Sequence, residues 1–237
     1  MFGKLLSIVI YSLVTVTFFS FSVIYIPLLV IFGPEKIIIV FRIYAWLLVR
    51  VGLNRLVVTN PPPSNKGPYL LLCNHQSFFD VLVLSEVLPY CFSAIAKKEL
   101  LSFPVFGFIM KRLGIVTIDR SSGRDSIGGI NMAVEKLRSG MPVFTFPEGT
   151  RTKDGKVAKF KRGSFKLALE SQASIVPIGI SGSYEAPRRI GTIKINFGQP
   201  IEYDEYKHLS DIELADLIRQ KVIELSFQKK ESNHGTV

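Results

Sequence analysis

Cysteine is scarce in this sequence. Cys73 and Cys91 are the only two in 237 residues, too few for a disulfide scaffold or a four-cysteine zinc site. Of three histidines, His208 and His234 fall in a polar loop and the tail, with no carboxylate at ligand spacing to His75. No metal site is therefore expected. Acidic residues are outnumbered, 19 against 29 Lys plus Arg, which leaves a net charge of +10 and a pI near 9.6. That balance points to an anionic partner: nucleic acid, a lipid headgroup surface or a phosphorylated substrate. Low-complexity stretches and internal repeats are also missing. With 48% hydrophobic and 20% charged residues, the chain can bury a core, which excludes a disordered protein. The length suits one domain, or a domain with an appendage.

The longest gap in charge runs from Leu5 to Pro34, without a single Lys, Arg, Asp or Glu. As a helix, thirty such residues would extend about 45 Å, more than the roughly 30 Å hydrocarbon core of a bilayer. Gly33-Pro34 breaks the run. A second apolar stretch, Ile37 to Val51, carries only Arg42 and Arg50 as charges, near one helical face, with Tyr44 and Trp46 between them. Arginines and aromatics at the edge of an apolar helix suit a lipid interface. No small-x-small cleavage site ends the run, which argues against a cleaved signal peptide. Thirty uncharged residues leave no polar face for a soluble core helix. Residues 1–52 are expected to form a membrane anchor, either one spanning helix or a two-helix hairpin.

Composition shifts after Gly52, and residues 53–237 make a single domain of ordinary size. Short β-branched runs, such as Tyr69-Cys73, Val143-Phe146 and Ile175-Ile180, alternate with helix-period stretches such as Val81-Leu88 and Ile212-Leu225. This alternation predicts an α/β fold, a single sheet flanked by helices on both faces. The charge is concentrated. Lys97 to Arg162 contains 14 Lys/Arg and six acids, which is +8 of the total +10. A membrane-anchored chain without a recognisable nucleic-acid module makes nucleic acid the weaker choice of partner.

Asn74-His75-Gln76-Ser77-Phe78-Phe79-Asp80 lies between the strand Tyr69-Cys73 and the helix Val81-Leu88. His75 and Asp80 are five residues apart, about 140° around a helix, and cannot share a helical face. They can meet if His75 lies in the turn and Asp80 in the first helical turn. Asp80 then has two readings: a capping-box partner of Ser77, or an acceptor that fixes the His75 tautomer so that its other nitrogen acts as a base. The nucleophile elbow Gly-x-Ser-x-Gly is absent, so a His-Asp pair here fits direct deprotonation of a substrate hydroxyl.

This His-x4-Asp segment resembles the first motif of the glycerolipid acyltransferases, specifically the 1-acylglycerol-3-phosphate acyltransferases. Further blocks follow in the family's order. Ala96-Lys97-Lys98-Glu99-Leu100 leads through Pro104, Gly107 and Gly114 to Ile118-Asp119-Arg120, which is similar to the second block. Phe146-Pro147-Glu148-Gly149-Thr150-Arg151-Thr152 is similar to the third, and Val176-Pro177-Ile178-Gly179 to the fourth.

The resemblance implies transfer of an acyl group from a thioester, acyl-CoA or acyl-acyl carrier protein, to the sn-2 hydroxyl of lysophosphatidate, giving phosphatidic acid. It implies His75 as general base and Asp80 as its orienting partner. Arg120 and Arg151 would hold the phosphate, assisted by Lys97 or Lys98, and Glu148, Gly149 and Thr150 would shape the pocket. Pro177 is placed at the end of a neighbouring strand. The residues themselves agree, since arginine binds phosphate oxygens in two-pronged fashion and a glycine turn lets backbone approach a phosphate closely. No cofactor or metal is called for, and the catalytic domain is expected on the cytoplasmic face of the membrane. Two other readings stay open: an acyltransferase for another lysophospholipid, and a membrane-tethered lipid-binding protein without catalysis.

Overall fold

The computed structural model describes residues 2–51, 54–64, 67–119, 123–152, 154–186 and 190–227. Two long helices come first, α1 (Phe2–Phe32) and α2 (Pro34–Val51), turned back on each other at Gly33, whose φ of +75° suits glycine. Seven strands follow: β1 (Asn54–Val58), β2 (Tyr69–Cys73), β3 (Ser93–Lys97), β4 (Val116–Ile118), β5 (Val143–Thr145), β6 (Ser174–Ser181) and β7 (Gly191–Phe197). They are interleaved with α3 (Phe79–Val87), α4 (Pro104–Arg112), α5 (Gly123–Arg138) and α6 (Gly163–Ser171). A short α7 (Tyr203–Tyr206) and α8 (Asp211–Phe227) close the fold.

The strands form one sheet in the order β1-β7-β6-β2-β5-β3-β4. Strands β6, β2, β5, β3 and β4 run parallel, and β7 is antiparallel to β6. Residue alternation along the strands builds two cores. Leu71 and Cys73 of β2, with Val176, Ile178 and Ile180 of β6, face α3 and the helical pair. Leu70 and Leu72 of β2, with Ile175 of β6, face α5, α6 and α8. A sheet covered on both faces matches the expected α/β class.

The fourth sequence block is a packing device. Gly179 sits where α8 crosses β6, and a Cβ there would come within 2.5 Å of backbone atoms of Leu225 and Ser226. Pro177 is buried in the middle of β6 and not at its end, so the expected position was wrong. Its carbonyl accepts the Gly198 N–H at 2.8 Å.

The helical pair is continuous with this core. Ile10 and Val14 of α1 and Tyr44, Leu48 and Val49 of α2 share one buried cluster with Phe79, Leu82 and Val83 of α3. Further along α1, Tyr25 and Leu29 pack with Ile37 of α2 and Ile109 of α4, and the Phe18 ring meets Phe106. Arg42 and Arg50, read from sequence as suited to a lipid interface, also reach α3. Arg50 pairs with Glu86 at 3.0 Å, and Arg42 donates to the Glu86 carbonyl at 3.2 Å. Trp46 does stay half-exposed, with the Arg50 guanidinium 5.3 Å from its ring centroid. The expected boundary between residues 52 and 53 lies outside the described residues.

Candidate active site

Parallel strands present their C-terminal ends along one edge, where ligands of open α/β sheets bind. Here β2 and β5 are neighbours, yet the helices that follow them, α3 and α6, cover opposite faces. The crevice beyond these two strand ends receives the segment after β2, His75 to Asp80, and the segment after β5, Phe146 to Thr152.

Asp80 is fully buried in the first turn of α3, and one oxygen does both jobs proposed from sequence. Its Oδ2 lies 2.8 Å from His75 Nδ1 and accepts the backbone N–H of Gln76 at 2.7 Å and of Ser77 at 2.8 Å. A carboxylate can only accept, so Nδ1 carries the proton and Nε2 is left with a free lone pair. The capping box is half made. Asp80 reaches back to the Ser77 N–H, but the Ser77 hydroxyl lies 3.4 Å from the Phe79 nitrogen.

The two segments are tied through His75. Its N–H donates to Glu148 Oε1 at 2.7 Å, and its carbonyl accepts the Thr152 N–H at 2.8 Å. The other Glu148 oxygen accepts the Ala158 N–H at 3.1 Å. Burial pushes the Glu148 carboxyl above its ordinary range, and these two backbone donors pull it part of the way back. Gly149 has φ of +73°, and the Lys161 side chain runs so close over it that a Cβ would meet Lys161 Nζ at 2.8 Å.

The other expected residues spread along the same edge. Thr150 and Arg151 are exposed beside the Gly149 turn. Lys97 ends β3, the next strand out, and is exposed with its ammonium 2.7 Å from Glu99 Oε1. Lys98 Nζ is 3.9 Å from Asp119 Oδ2. Arg120 lies outside the described residues.

Three features carried no role in the sequence reading. The Asn74 amide pairs with both backbone groups of Ile180, donating at 2.9 Å and accepting at 2.8 Å, which adds a rung between β2 and β6 just before His75. Gln76, on the other side of His75, donates to the Gly155 carbonyl at 2.7 Å and accepts from Ser183 Oγ at 3.2 Å. The His75 ring also stacks on Phe146. The signal for the first two was present: amides flanking a histidine at a strand end can replace a sheet's missing hydrogen bonds.

The match to known proteins falls on these segments. A family model described as Acyltransferase matches residues 55–181, more than half of the chain, and covers both crevice segments. The chain belongs to the acyltransferase family. The 1-acyl-sn-glycerol-3-phosphate acyltransferase alpha of Ovis aries is 36% identical over 170 residues, 68% of this chain and 58% of the relative. Its Homo sapiens counterpart is 42% identical over 125 residues, 52% of this chain and 43% of the relative. The chloroplastic 1-acyl-sn-glycerol-3-phosphate acyltransferase of Arabidopsis thaliana is 36% identical over 121 residues, 51% of this chain and 34% of the relative. This acyltransferase chain thus spans about a third to three-fifths of the length of these relatives. The crystal structure of the 1-acyl-sn-glycerophosphate acyltransferase PlsC from Thermotoga maritima shares the fold. Its TM-score is 0.77 at 22% identity, over 97% of this chain and 98% of that one.

Within an acyltransferase, the Cys73 thiol is a conceivable acyl carrier, and its setting argues against that role. It is fully buried, and burial, with the Asp80 and Glu148 carboxylates nearby, pushes its pKa well above the ordinary range. Such a thiol stays protonated and unreactive. His75 keeps 17% of its side chain exposed at the same strand end and can meet a substrate.

Proposed function

We propose that this chain transfers an acyl group from a thioester donor to the sn-2 hydroxyl of 1-acylglycerol-3-phosphate, giving phosphatidic acid. The observation that carries the reading is the His75–Asp80 pair, whose 2.8 Å bond leaves Nε2 as a proton acceptor at an accessible strand end. The names of the relatives supply the substrate class.

The steps balance within the site. His75 Nε2 takes the proton of the acceptor hydroxyl as that oxygen attacks the thioester carbonyl carbon. A carbon–oxygen bond forms, the carbon–sulfur bond breaks, and the imidazolium returns its proton to the leaving thiolate. Asp80 stabilises the imidazolium in the interval. Orienting two substrates contributes the most, up to about 7–11 kcal/mol of barrier. General base catalysis adds roughly 10²–10⁴-fold.

The acceptor's hydroxyl oxygen and phosphorus are four bonds apart, close to the spacing of one strand from the next, about 4.8 Å. With the hydroxyl at His75 beyond β2, a phosphate one spacing away falls over β5, the strand before Arg151, and beside β3, which ends at Lys97. We assign the headgroup contact to Arg151 and Lys97, beside the Glu148-Gly149-Thr150 turn; Arg120, expected from the sequence to join them, lies outside the described residues. The donor is a coenzyme A or carrier-protein thioester, and the chemistry calls for no further cofactor.

The helix α1 is long and apolar enough to cross a membrane. Its packing supports a different placement. A perpendicular α1 would carry Phe106 of α4 to mid-bilayer with it, together with the Arg50–Glu86 pair of α2 and α3. Charges at that depth are costly. We read the helical pair as lying in one leaflet and the basic catalytic domain as facing the cytoplasm.

The test is thiol release from acyl-CoA by the full-length chain with a panel of lysolipids, the products identified by mass spectrometry. Lysophosphatidate should be used best, and His75→Ala should abolish turnover. A His75→Ala protein with more than a tenth of the wild-type rate would overturn the base assignment. No thiol release with any lysolipid would favour a lipid-binding protein.

A further inference from the structure

The imidazole of His75 and the phenyl ring of Phe146 lie nearly face to face, with centroids 3.7 Å apart and planes at 13°. Phe146 is the first residue beyond β5. Its ring is held edge-on by Phe144 at 4.6 Å and 86°. Phe144 is itself buried and meets Phe92 at 6.2 Å and 79°. The platform is thus rooted in the core and does not swing with the exposed loop.

Two neutral rings avoid this near-sandwich arrangement, because their quadrupoles present negative faces to each other. A cation over the same face is attracted. The stack is therefore unfavourable to the resting imidazole relative to other orientations and favourable to the imidazolium. An interaction that strengthens as the proton arrives lowers the barrier, whereas one equal in both states does not.

We propose that Phe146 is a positioning residue of the reaction: its ring face fixes the plane of His75 and stabilises the imidazolium that forms during acyl transfer. This rests on the reading of His75 as the base. Among the described residues, the ionisable groups bonded to His75 are the Asp80 carboxylate from α3, at its ring, and the Glu148 carboxylate from the segment after β5, at its N–H. Both carboxylates act in the same direction as the phenyl face.

The experiment uses the full chain in lipid vesicles with lysophosphatidate and acyl-CoA. Phe146→Leu keeps an apolar but smaller side chain and loses the face. It should lower kcat by about 3–30-fold, the range for a cation–π contact at exposed to desolvated sites. Both Michaelis constants should stay within twofold. The acid limb of kcat/KM should move to lower pH by about 0.5–1.5 units, the same free energy. Phe146→Tyr, which restores the face, should return kcat and the acid limb to wild type. A shape-preserving series with one, two and three ring fluorines at position 146 should lower kcat stepwise, since fluorine drains the face of charge.

A flat fluorine series overturns the proposal whether or not Phe146→Leu folds. So does a Phe146→Leu protein that loses rate only through a raised Michaelis constant. If His75→Ala is dead while Phe146→Leu is unchanged, this inference fails and the base reading stands. If His75→Ala retains activity, the base reading itself fails.

Discussion

Glu148 offers the sharpest test of how the crevice is held. Its two oxygens accept one backbone N–H each, from His75 at 2.7 Å and from Ala158 at 3.1 Å, so it bridges the segments that carry the site. In Glu148→Gln one oxygen remains, and the amide NH2 must face the other backbone donor. One charge-assisted bond of about 1.5–3 kcal/mol is lost and the remaining one weakens to an ordinary bond of about 0.5–1.5 kcal/mol. Against this, the variant no longer buries a charge, a cost visible in the raised carboxyl pKa of Glu148. The net expectation is roughly 1.5–3 kcal/mol lost in kcat/KM, about 10–150-fold, with a smaller loss in global stability. The pH behaviour gives an independent signature. A carboxyl whose folded pKa is raised binds its proton more tightly in the folded state. Its contribution is therefore most favourable below the ordinary value of 4.5 and declines as pH rises through the raised folded value. That slope should vanish in Glu148→Gln. Urea unfolding across this window and thiol-release kinetics check both parts. A variant within twofold of wild type in rate, with the slope unchanged, would refute the bridging role.

Asp80→Asn can keep an oxygen where Oδ2 sits, so His75 should hold its orientation while the imidazolium loses its counter-charge. A 10–150-fold fall in kcat is expected, smaller than for His75→Ala, measured by thiol release. Gly149→Ala forces a left-handed residue and a Cβ within 3.0 Å of Lys161 Nζ, Cε and Cδ. It should cost about 1–2 kcal/mol of stability and raise the Michaelis constant for lysophosphatidate, read by urea unfolding and steady-state kinetics. In a Cys91→Ser background, Lys4→Cys and Lys36→Cys should both react with an impermeant maleimide from the catalytic side of sealed vesicles. Labelling of either only after the vesicles are opened would mean that α1 crosses.

The sheet was largely legible because strands buried on both faces read as short apolar runs, and β2 falls on Tyr69–Cys73 as the pattern required. The His75–Asp80 contact was legible too, since a five-residue spacing excludes a shared helix face and leaves the strand-to-helix turn. Other elements were hidden by their own composition. Pro104 and Gly107 read as motif residues, yet they open α4 and let it press on Leu101, whose carbonyl would lie 2.5 Å from a Cβ at Gly107. Arg42 and Arg50 could not be distinguished from lipid-facing arginines, because their partner Glu86 lies 36 or more residues away. The stack of His75 on Phe146 joins residues on two different strand ends, and no local period announces such a pair.

The cluster shared by Ile10, Val14, Leu48 and Phe79 turns the two N-terminal helices into a rigid strut. A flexible tether would let the crevice roam above the bilayer, and any lysolipid that diffused beneath could be lifted to it. In the proposed membrane placement, a strut would instead fix the height of His75 above the acyl chains. If the strut lies in one leaflet, as proposed above, an acceptor whose own chain stays among its neighbours would offer its hydroxyl at one depth only. Molecules that float higher or sit deeper miss the base by geometry alone, before any headgroup contact is made. Bilayer thickness and packing would then become determinants of turnover, acting through the vertical register between protein and lipid.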